Sequence, residues 1–445
     1  MKSHDPDSAD RQMSPRGVAV AALVGTTIEF YDFFVYGTSV VLVLGTLFFP
    51  SGNPLTSTLL AFATLGVGFL ARPLGGLFFA HFGDRVGRKN TLIVSLMMMG
   101  VATVAVGLLP TYDQIGMWAP ALLVMLRLVQ GLAVGGEWGG AVLLAVEHAP
   151  PDKRALYGSF PQFGSPLGLL LSSAVIGLFG LMPAESYAAW GWRMPFLLSV
   201  ILLAVGVVIR LKMEESTSFV AAQANNEIVS LPIKEIFRTF WRTVVVASGV
   251  TLIAHSLTLL VSFLPSYATT TYDLAPGIAT TSLVVASAGA VLALVVMARL
   301  VDGRDRRRFT LVGGVLTAVW AFPAFYLPAE WGAAGLMISV TVGYVFLIPH
   351  YAALSSFLAD MFPAHVRYSG VSLCYQLSAV LGGGLLPILT GYLVSRVGGA
   401  SWPAAALLAG TGLITAASSL LARRVPTTGV APVVAGPKSL RPAGR

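Results

Sequence analysis

Five ionisable side chains stand inside long apolar stretches of this sequence, where charged residues are unexpected. They are Glu29, Asp32, Arg72, Arg127 and Glu137. An ionisable side chain in a hydrocarbon environment is costly unless it faces a water-filled cavity or a partner. Such residues therefore mark either a site that handles charge or ion pairs that hold helices together.

The first two acids have the spacing of one helix face. Glu29 and Asp32 are three residues apart, and Tyr36 follows one turn later. Two neighbouring carboxylates in a low-dielectric environment resist simultaneous ionisation, so one of them is expected to hold a proton near neutral pH. We therefore predict Asp32, Glu29 and Glu137 as the residues that bind and release a coupling proton.

The arginines indicate the charge of a ligand. A planar guanidinium matches a carboxylate in a two-point hydrogen bond, so Arg127, together with Arg72, predicts an anionic or zwitterionic small molecule. Arg127 and Glu137 share a helix face, about 15 Å apart along the axis by helical rise. The alternative is that Arg72 and Glu137 form buried ion pairs, because the glycines around Glu137 are typical of close helix packing. These glycines are Gly135, Gly136, Gly139 and Gly140.

The second half of the chain has few charges in its apolar stretches, but it holds neutral polar and aromatic groups. Such groups suit hydrogen bonds to the hydroxyls or the carboxylate of a substrate. The alternative for a histidine in an apolar helix is a hydrogen bond to a neighbouring helix. Besides the arginines, the predicted substrate ligands are Tyr36, Gln162, His255, His350, Tyr351, Tyr375 and Gln376.

The composition places these residues in a lipid bilayer. The 445-residue chain is 56% hydrophobic and 11% charged, with a mean hydropathy of +0.78, whereas soluble proteins carry about 25% charged residues. The single cysteine, Cys374, excludes an internal disulfide and a cysteine metal cluster. The sequence has no HExxH, Walker or CxxC pattern, which predicts a protein that is not an enzyme and needs no metal or cofactor besides protons.

Apolar runs divide the chain into an all-α membrane protein of two halves. A bilayer core needs roughly 20 apolar residues per helix. The linker is predicted at 213–238, between a six-helix bundle at 17–212 and a second at 239–422, with a tail at 1–16 and a disordered tail at 423–445. The twelve predicted transmembrane helices are 17–49, 55–80, 90–109, 117–146, 155–181, 193–212, 239–271, 278–300, 308–327, 331–360, 364–396 and 402–422.

Lysine and arginine give the expected orientation. Nearly all of them lie at the two ends of the chain and in the breaks after every second helix, while the opposite breaks hold essentially Arg193 and Arg396. Positive residues collect on the cytoplasmic side of a membrane, so both termini are predicted to be cytoplasmic. This topology also accounts for the net charge of +8 without nucleic-acid binding.

Charged hinges recur half a chain apart and indicate an internal duplication. GDRVGRK after the second helix has a counterpart, DGRDRRR, after the eighth at an offset of 218 residues, and EHAPPDKR matches DMFPAHVR at an offset of 213. Duplicated halves are typical of secondary transporters, which place the substrate between them. The residues predicted to gate the cytoplasmic side, and to keep it shut in the outward-facing state, are Asp84, Arg85, Arg88, Lys89, Glu147, Arg154, Asp302, Asp360 and Arg367.

Several longer segments carry a family resemblance. They are EFYDFFVYG, FLARPLGGLFFAHFGDRVGRK, RLVQG, LAVGGEWGGA, WGWRMPFLLS and MFPAHVRYSGVSLCYQ. These segments resemble the metabolite:proton symporter family of the major facilitator superfamily, which includes shikimate, α-ketoglutarate, citrate and proline/betaine transporters. The resemblance implies a central cavity lined by helices 1 and 4. The second hinge departs from the family pattern at Gly303 and Asp305, where arginine and glycine are usual.

The residues and the resemblance together predict a proton-coupled symporter. It imports a small organic acid or zwitterionic metabolite by alternating access, in a bacterial inner membrane, as a monomer. Its expected partners are the substrate and the lipid bilayer, with no nucleic acid. The alternative on the same fold is an antiporter that exports a drug or metabolite in exchange for protons, because GSFPQFGSPLG faintly resembles an antiporter motif.

Overall fold

The computed structural model describes residues 13–51, 54–86, 88–212, 232–363 and 366–422. Every regular element in these ranges is a helix. Helices are expected for such apolar segments, because backbone N–H and C=O groups have no water to bond within a bilayer core.

The first half of the described chain begins with a helix interrupted by a π-helical turn at Val40–Leu44. Short 3-10 turns at Pro151–Lys153 and Gly191–Arg193 precede the last two long helices. The α-helices of this half are α1 Pro15–Ser39, α2 Gly45–Phe48, α3 Pro54–Val86, α4 Arg88–Leu108, α5 Tyr112–Ile115, α6 Trp118–Gly135, α7 Glu137–Glu147, α8 Arg154–Phe179, α9 Ala184–Ala189 and α10 Met194–Leu211.

The second half follows after residues 213–231. These residues make up most of the predicted linker and lie outside the described residues. Two of its helices also contain π-helical segments, at Leu259–Phe263 and Ala379–Leu385. The α-helices of this half are α11 Pro232–Thr239, α12 Trp241–Ser256, α13 Leu264–Thr271, α14 Pro276–Val301, α15 Arg306–Met361, α16 Arg367–Ser378, α17 Leu386–Arg396 and α18 Trp402–Leu421.

Helix α15 consists of two helices joined at Gly332. The residue has φ 53° and ψ −126°, which is not helical. Glycine adopts a positive φ without the steric cost that a Cβ atom brings. The chain therefore turns here within 56 continuous residues, at the second residue of the tenth predicted transmembrane helix, 331–360.

Ten helical segments in the described ranges are long and apolar enough to cross a membrane. The whole of α15 is one of these ten, and α3 contributes a shorter apolar segment, Ala63–Phe79. Three of these segments combine two α-helices: Trp118–Glu147 joins α6 and α7, Trp241–Thr271 joins α12 and α13, and Arg367–Arg396 joins α16 and α17. The tails at 1–12 and 423–445 lie outside the described residues.

The helices pack into two groups that meet along their length. Within the first half, α1 lies along α8 and α3 lies along α6; within the second, α15 packs against α14 and α18. Between the halves, α8 contacts α14 and α15, while α3 and α7 contact α16. The largest apolar cluster crosses this boundary, since Phe34 and Trp138 of the first half share it with Tyr351 and Tyr375 of the second.

Glycines bring α3 and α6 into backbone contact. A Cβ atom on Gly75 would collide with the carbonyl of Leu132, and one on Gly135 would collide with the carbonyl of Arg72. Small residues allow helices in a membrane to approach this closely. The close approach places Arg72 of α3 beside the end of α6, and thus positions the charged residues of both helices.

Candidate functional site

A cavity lies between the two halves at the level of the charged residues. It has a volume of about 30 Å³, which is room for roughly two water molecules. A metabolite therefore requires the halves to move apart before it can enter. The lining residues are Glu29, Phe30, Phe33, Phe34, Phe69, Arg72, Ser165, Ala254, His255, Leu257, Thr258, Val261, Tyr351 and Tyr375.

Arg72 is the cation of this cavity. Its guanidinium carbon lies 4.2 Å from the centre of the Phe69 ring and 5.7 Å from that of Phe33. Among the described residues, Arg72 has no ion pair, and Glu29 on the same cavity has a buried Oε2 with no hydrogen-bond partner. Stacking occupies the face of the guanidinium and leaves the N–H groups at its edge available to a carboxylate.

Asp32 lies deeper in the first half and is bonded to neutral hydroxyls. Thr103 Oγ1 donates to Asp32 Oδ2 at 2.8 Å, and Ser199 Oγ donates to Asp32 Oδ1 at 2.9 Å. The side chain is only 3% exposed. Hydroxyl groups both donate and accept, so these partners suit Asp32 in either protonation state.

Arg127 is connected to Asp32 by a chain of hydrogen bonds. Arg127 Nη1 donates to Gln130 Oε1 at 2.9 Å, and Gln130 Nε2 donates to Thr103 Oγ1 at 2.7 Å. The Arg127 guanidinium carbon also lies 3.8 Å from the centre of the Tyr36 ring. These residues surround a second, smaller cavity that Asp32, Arg127 and Gln130 share with Glu29 and Arg72 of the first. The sequence does not single out three residues of this chain of hydrogen bonds and its surroundings, because neutral polar residues are common in membrane helices. They are Thr103, Gln130 and Ser199.

Glu137 forms the buried ion pair that the sequence analysis raised as an alternative. Its Oε1 bonds to Nη2 of Arg210, which also donates through Nη1 to the carbonyl of Leu92. Arg210 is 3% exposed. Arg210 is not among the residues that the sequence predicts, because a cation near the end of an apolar run resembles a residue that only sets topology.

The second half contributes His255 and two tyrosines to the cavity. His255 Nδ1 lies 3.0 Å from Ser378 Oγ, and its Nε2 is buried without a hydrogen-bond partner in the described structure. Tyr351 donates to the carbonyl of Ala254 at 3.2 Å. The Tyr375 ring stacks on Trp138 of the first half, with 3.5 Å between ring centres.

Five of the predicted substrate ligands do not line the central cavity: Arg127, which lies on the second cavity, and Tyr36, Gln162, His350 and Gln376. Tyr36 bonds to Thr64 at 2.5 Å inside the first half. Gln162 and Gln376 instead bond across the two halves, Gln162 Nε2 to Ser355 Oγ and Gln376 Nε2 to the carbonyl of Gly135, each at 2.9 Å. His350 packs against Gly313, because adjacent residues on a helix point about 100° apart and Tyr351 takes the cavity side.

The second charged hinge joins the halves at one end of the molecule. Asp302 Oδ1 accepts from the backbone N–H of Ala155 at 2.8 Å and of Leu156 at 3.2 Å, at the start of α8. Partial burial raises the pKa of Asp302, and the hydrogen bonds from the two backbone N–H groups partly oppose this rise. A carboxylate at a helix start also interacts favourably with the helix dipole.

The other predicted gating residues are distributed around the same end. Asp360 pairs with Arg306, and Arg367 Nε donates to the carbonyl of Phe362 at 3.2 Å within the second half. Lys89 Nζ donates to the carbonyl of Leu211 at 2.9 Å. Arg154 is exposed and Glu147 is half-buried. The side chains of Asp84, Arg85 and Arg88 lie outside the described residues.

Comparison with known proteins identifies the class. The family described as "Sugar (and other) transporter" matches residues 18–230. The shikimate transporter of Escherichia coli K12 is 37% identical over 427 residues, covering 94% of this chain and 96% of the relative. The inner membrane metabolite transport protein YhjE of the same strain is 37% identical over 388 residues, covering 86% and 88%. The Escherichia coli K12 proline/betaine transporter is 34% identical over 431 residues, covering 94% and 86%.

Solved structures agree in fold. The proton:xylose symporter XylE bound to 6-bromo-6-deoxy-D-glucose has a TM-score of 0.74 at 17% identity, covering 91% of this chain and 94% of that one. The inward open conformation of XylE from E. coli gives a TM-score of 0.62 at 18% identity, covering 92% and 95%. The chain is a multi-pass membrane protein and a transporter, not an enzyme. It belongs to the major facilitator superfamily, among the transporters of small metabolites that are its relatives.

Proposed function

We propose that this protein is a symporter that imports a small carboxylate-bearing metabolite together with a proton. Twelve membrane spans with both termini in the cytoplasm, in a bacterial inner membrane, complete the proposal. The observation that carries it is the arrangement of Arg72 and Glu29 on a small cavity between the halves, with Asp32 behind them on neutral partners. The protein works as a monomer, since each chain contains both halves of the cavity.

Arg72 is the group that binds the substrate's carboxylate. It is held by two aromatic rings rather than by a carboxylate of the protein, so an incoming anion does not have to break an ion pair. The remainder of the substrate would meet the unpartnered Nε2 of His255 and the side chains of Tyr351 and Tyr375, which line the same cavity. These groups suit a compact substrate that has one carboxylate and is otherwise polar or zwitterionic.

Asp32 is the group that carries the proton, with Glu29 as the neighbour that senses the substrate. Protonation of Glu137 would leave Arg210 as a buried charge without its partner, which is strongly unfavourable. Protonation of Asp32 leaves no such orphan, because Thr103 and Ser199 are neutral. Glu29 and Asp32 lie on the same small cavity as Arg72, so the charge of the bound substrate acts on both.

The cavity also favours a metabolite importer over a drug exporter. Arg72 and Glu29 offer opposite charges in a space enclosed by phenylalanine and tyrosine rings. An apolar drug would leave both charges without partners, at a large desolvation cost. A carboxylate-bearing substrate, by contrast, supplies a partner for Arg72.

The test uses protein reconstituted in liposomes. A thermal-shift screen of the purified protein against shikimate, citrate, proline, glycine betaine and 2-oxoglutarate first selects the compound that binds. We expect Asp32→Asn to abolish uptake driven by a pH gradient while exchange of labelled for unlabelled compound persists, because exchange requires only movement of the loaded carrier. Loss of both activities would make Asp32 a binding or folding residue. Retention of both would place the proton elsewhere.

A further inference from the structure

The fourth predicted transmembrane helix is broken between α6 and α7. Helix α6 ends at Gly135, Gly136 has φ −93° and ψ −9°, and α7 begins at Glu137. The last carbonyl groups of a helix have no partner within that helix and need one from elsewhere. In the interior of a membrane protein, other protein groups must supply these hydrogen bonds.

The second half of the molecule supplies the partners. Gln376 Nε2 donates to the carbonyl of Gly135, and the Tyr368 hydroxyl donates to the carbonyl of Gly136, each at 2.9 Å. Tyr368 and Gln376 are eight residues apart on α16 and therefore lie on nearly the same face of that helix. Both side chains are buried. Gly136 is also the N-cap residue of α7, and its carbonyl accepts the first hydrogen bond of that helix. Separation of the halves would remove the Tyr368 bond from this carbonyl and the Gln376 bond from the carbonyl of Gly135.

Helices α7 and α16 pack closely around these bonds. A Cβ atom on Gly139 would collide with Oγ of Ser372, which lies midway between Tyr368 and Gln376 along α16. A Cβ atom on Gly140 would lie 3.5 Å from the Tyr368 ring. Helix α16 therefore rests directly on the backbone of α7, and water can replace its side chains only after the halves separate.

The same contact connects the cavity to the charged residues of the first half. Tyr375, one residue before Gln376, lines the cavity and stacks on Trp138 of α7. Glu137, one residue after Gly136, holds Arg210. A substrate that touches Tyr375 thereby acts on the helix that carries both the break and the ion pair.

We propose that Tyr368 and Gln376 form an interdomain latch on the broken helix and set how readily the halves separate. Together the two bonds stabilise the closed arrangement of this end of the molecule. On opening, the carbonyl groups of Gly135 and Gly136 exchange these partners for water next to Glu137. Gln376 is accordingly a positioning residue rather than the substrate ligand that the sequence predicts.

The test measures how often the halves open, without any substrate. Cys374, the single cysteine, is replaced by alanine, and Ser369→Cys introduces a reporter thiol. Ser369 is 6% exposed and lies on a small cavity between α3 and α16, beside Gln376. The rate of its alkylation by N-ethylmaleimide, in purified full-length protein, reports separation of the two helices.

We expect Tyr368→Phe and Gln376→Leu each to raise the alkylation rate roughly two- to tenfold, the effect of losing one hydrogen bond from the closed state. The matched control is Tyr267→Phe, which removes a tyrosine–carbonyl bond to Gly399 inside the second half. This control should leave the rate unchanged.

Equal rates in the two latch variants and the control would overturn the proposal. Tyr368→Phe keeps the ring and its packing, so it remains informative where Gln376→Leu fails to fold. The proposal assumes that the protein transports by alternating access, but the alkylation needs neither a substrate nor a proton gradient. An increased rate together with absent proton coupling would refute the proposed symport and leave the latch standing.

Discussion

Asp32 differs from the other buried acids in the nature of its partners. Two hydroxyl groups bond it, whereas Glu137 is bonded to an arginine and Glu29 Oε2 has no partner in the described structure. A carboxyl group on neutral partners can change its charge without abandoning an ion pair. The proposal that Asp32 carries the proton therefore rests on its neighbours, Thr103 and Ser199, which lie on helices distant in sequence.

Arg72 offers the sharpest test of substrate recognition at the scale of one residue. Arg72→Lys keeps the charge but loses the planar fork and the stacking on Phe69, so we expect affinity for the compound selected by thermal shift to fall roughly tenfold or more. The measurement is the binding affinity of the purified variant. Arg193→Lys is the control, because Arg193 also stacks on a ring, that of Trp192, but bonds to the carbonyls of Gly107 and Leu109 outside the cavity. Unchanged binding in Arg72→Lys would remove Arg72 from the substrate site.

The sequence could identify charged residues in apolar runs but not their partners. Arg210 lies at the end of a run, where cations usually set topology, and only the folded chain reveals its pairing with Glu137. His350 and Tyr351 are adjacent, so at most one of them could face the cavity, and the sequence does not say which. Gln376 has the chemistry of a ligand but serves a backbone carbonyl.

At the scale of the helix, glycine decides which elements meet. Helices α3 and α6 approach until their backbones touch, and Gly139 and Gly140 of α7 lie against the side chains of Ser372 and Tyr368 on α16. The sequence predicts this packing near Glu137 from four clustered glycines. It gives no hint that the helix is broken there, because Gly135 and Gly136 are equally compatible with a continuous helix in close contact.

Gly75→Ala tests this packing. The added methyl group would collide with the backbone carbonyl of Leu132, which cannot move aside as a flexible side chain could. Such overpacking lowers the free energy of unfolding by about 1–3 kcal/mol or more. We expect a clear fall in the melting temperature of the purified protein. Gly391→Ala is the matched control, since its methyl group meets no atom within 4 Å. Equal melting temperatures would show that α3 and α6 can separate at no cost.

At the scale of the whole molecule, the structure holds one end closed. Asp302 bonds to the start of α8, and Tyr368, Gln376 and Gln162 bond across the halves. The duplication in the sequence predicts that Asp302 has a gating role despite its altered surroundings, and its bonds to the opposite half support that role. The predicted orientation makes this the cytoplasmic end, which would correspond to a carrier that is not open to the cytoplasm.

The central claim is that substrate and proton move in the same direction, and internal pH measures this directly. Wild-type protein is reconstituted in liposomes that contain a pH-sensitive dye, and the selected compound is added outside without an imposed pH gradient. We predict acidification of the interior, because each entering substrate brings a proton, and no acidification with Asp32→Asn. Alkalinisation of the interior would establish exchange of substrate for protons, and substrate entry without any change in pH would contradict coupling altogether.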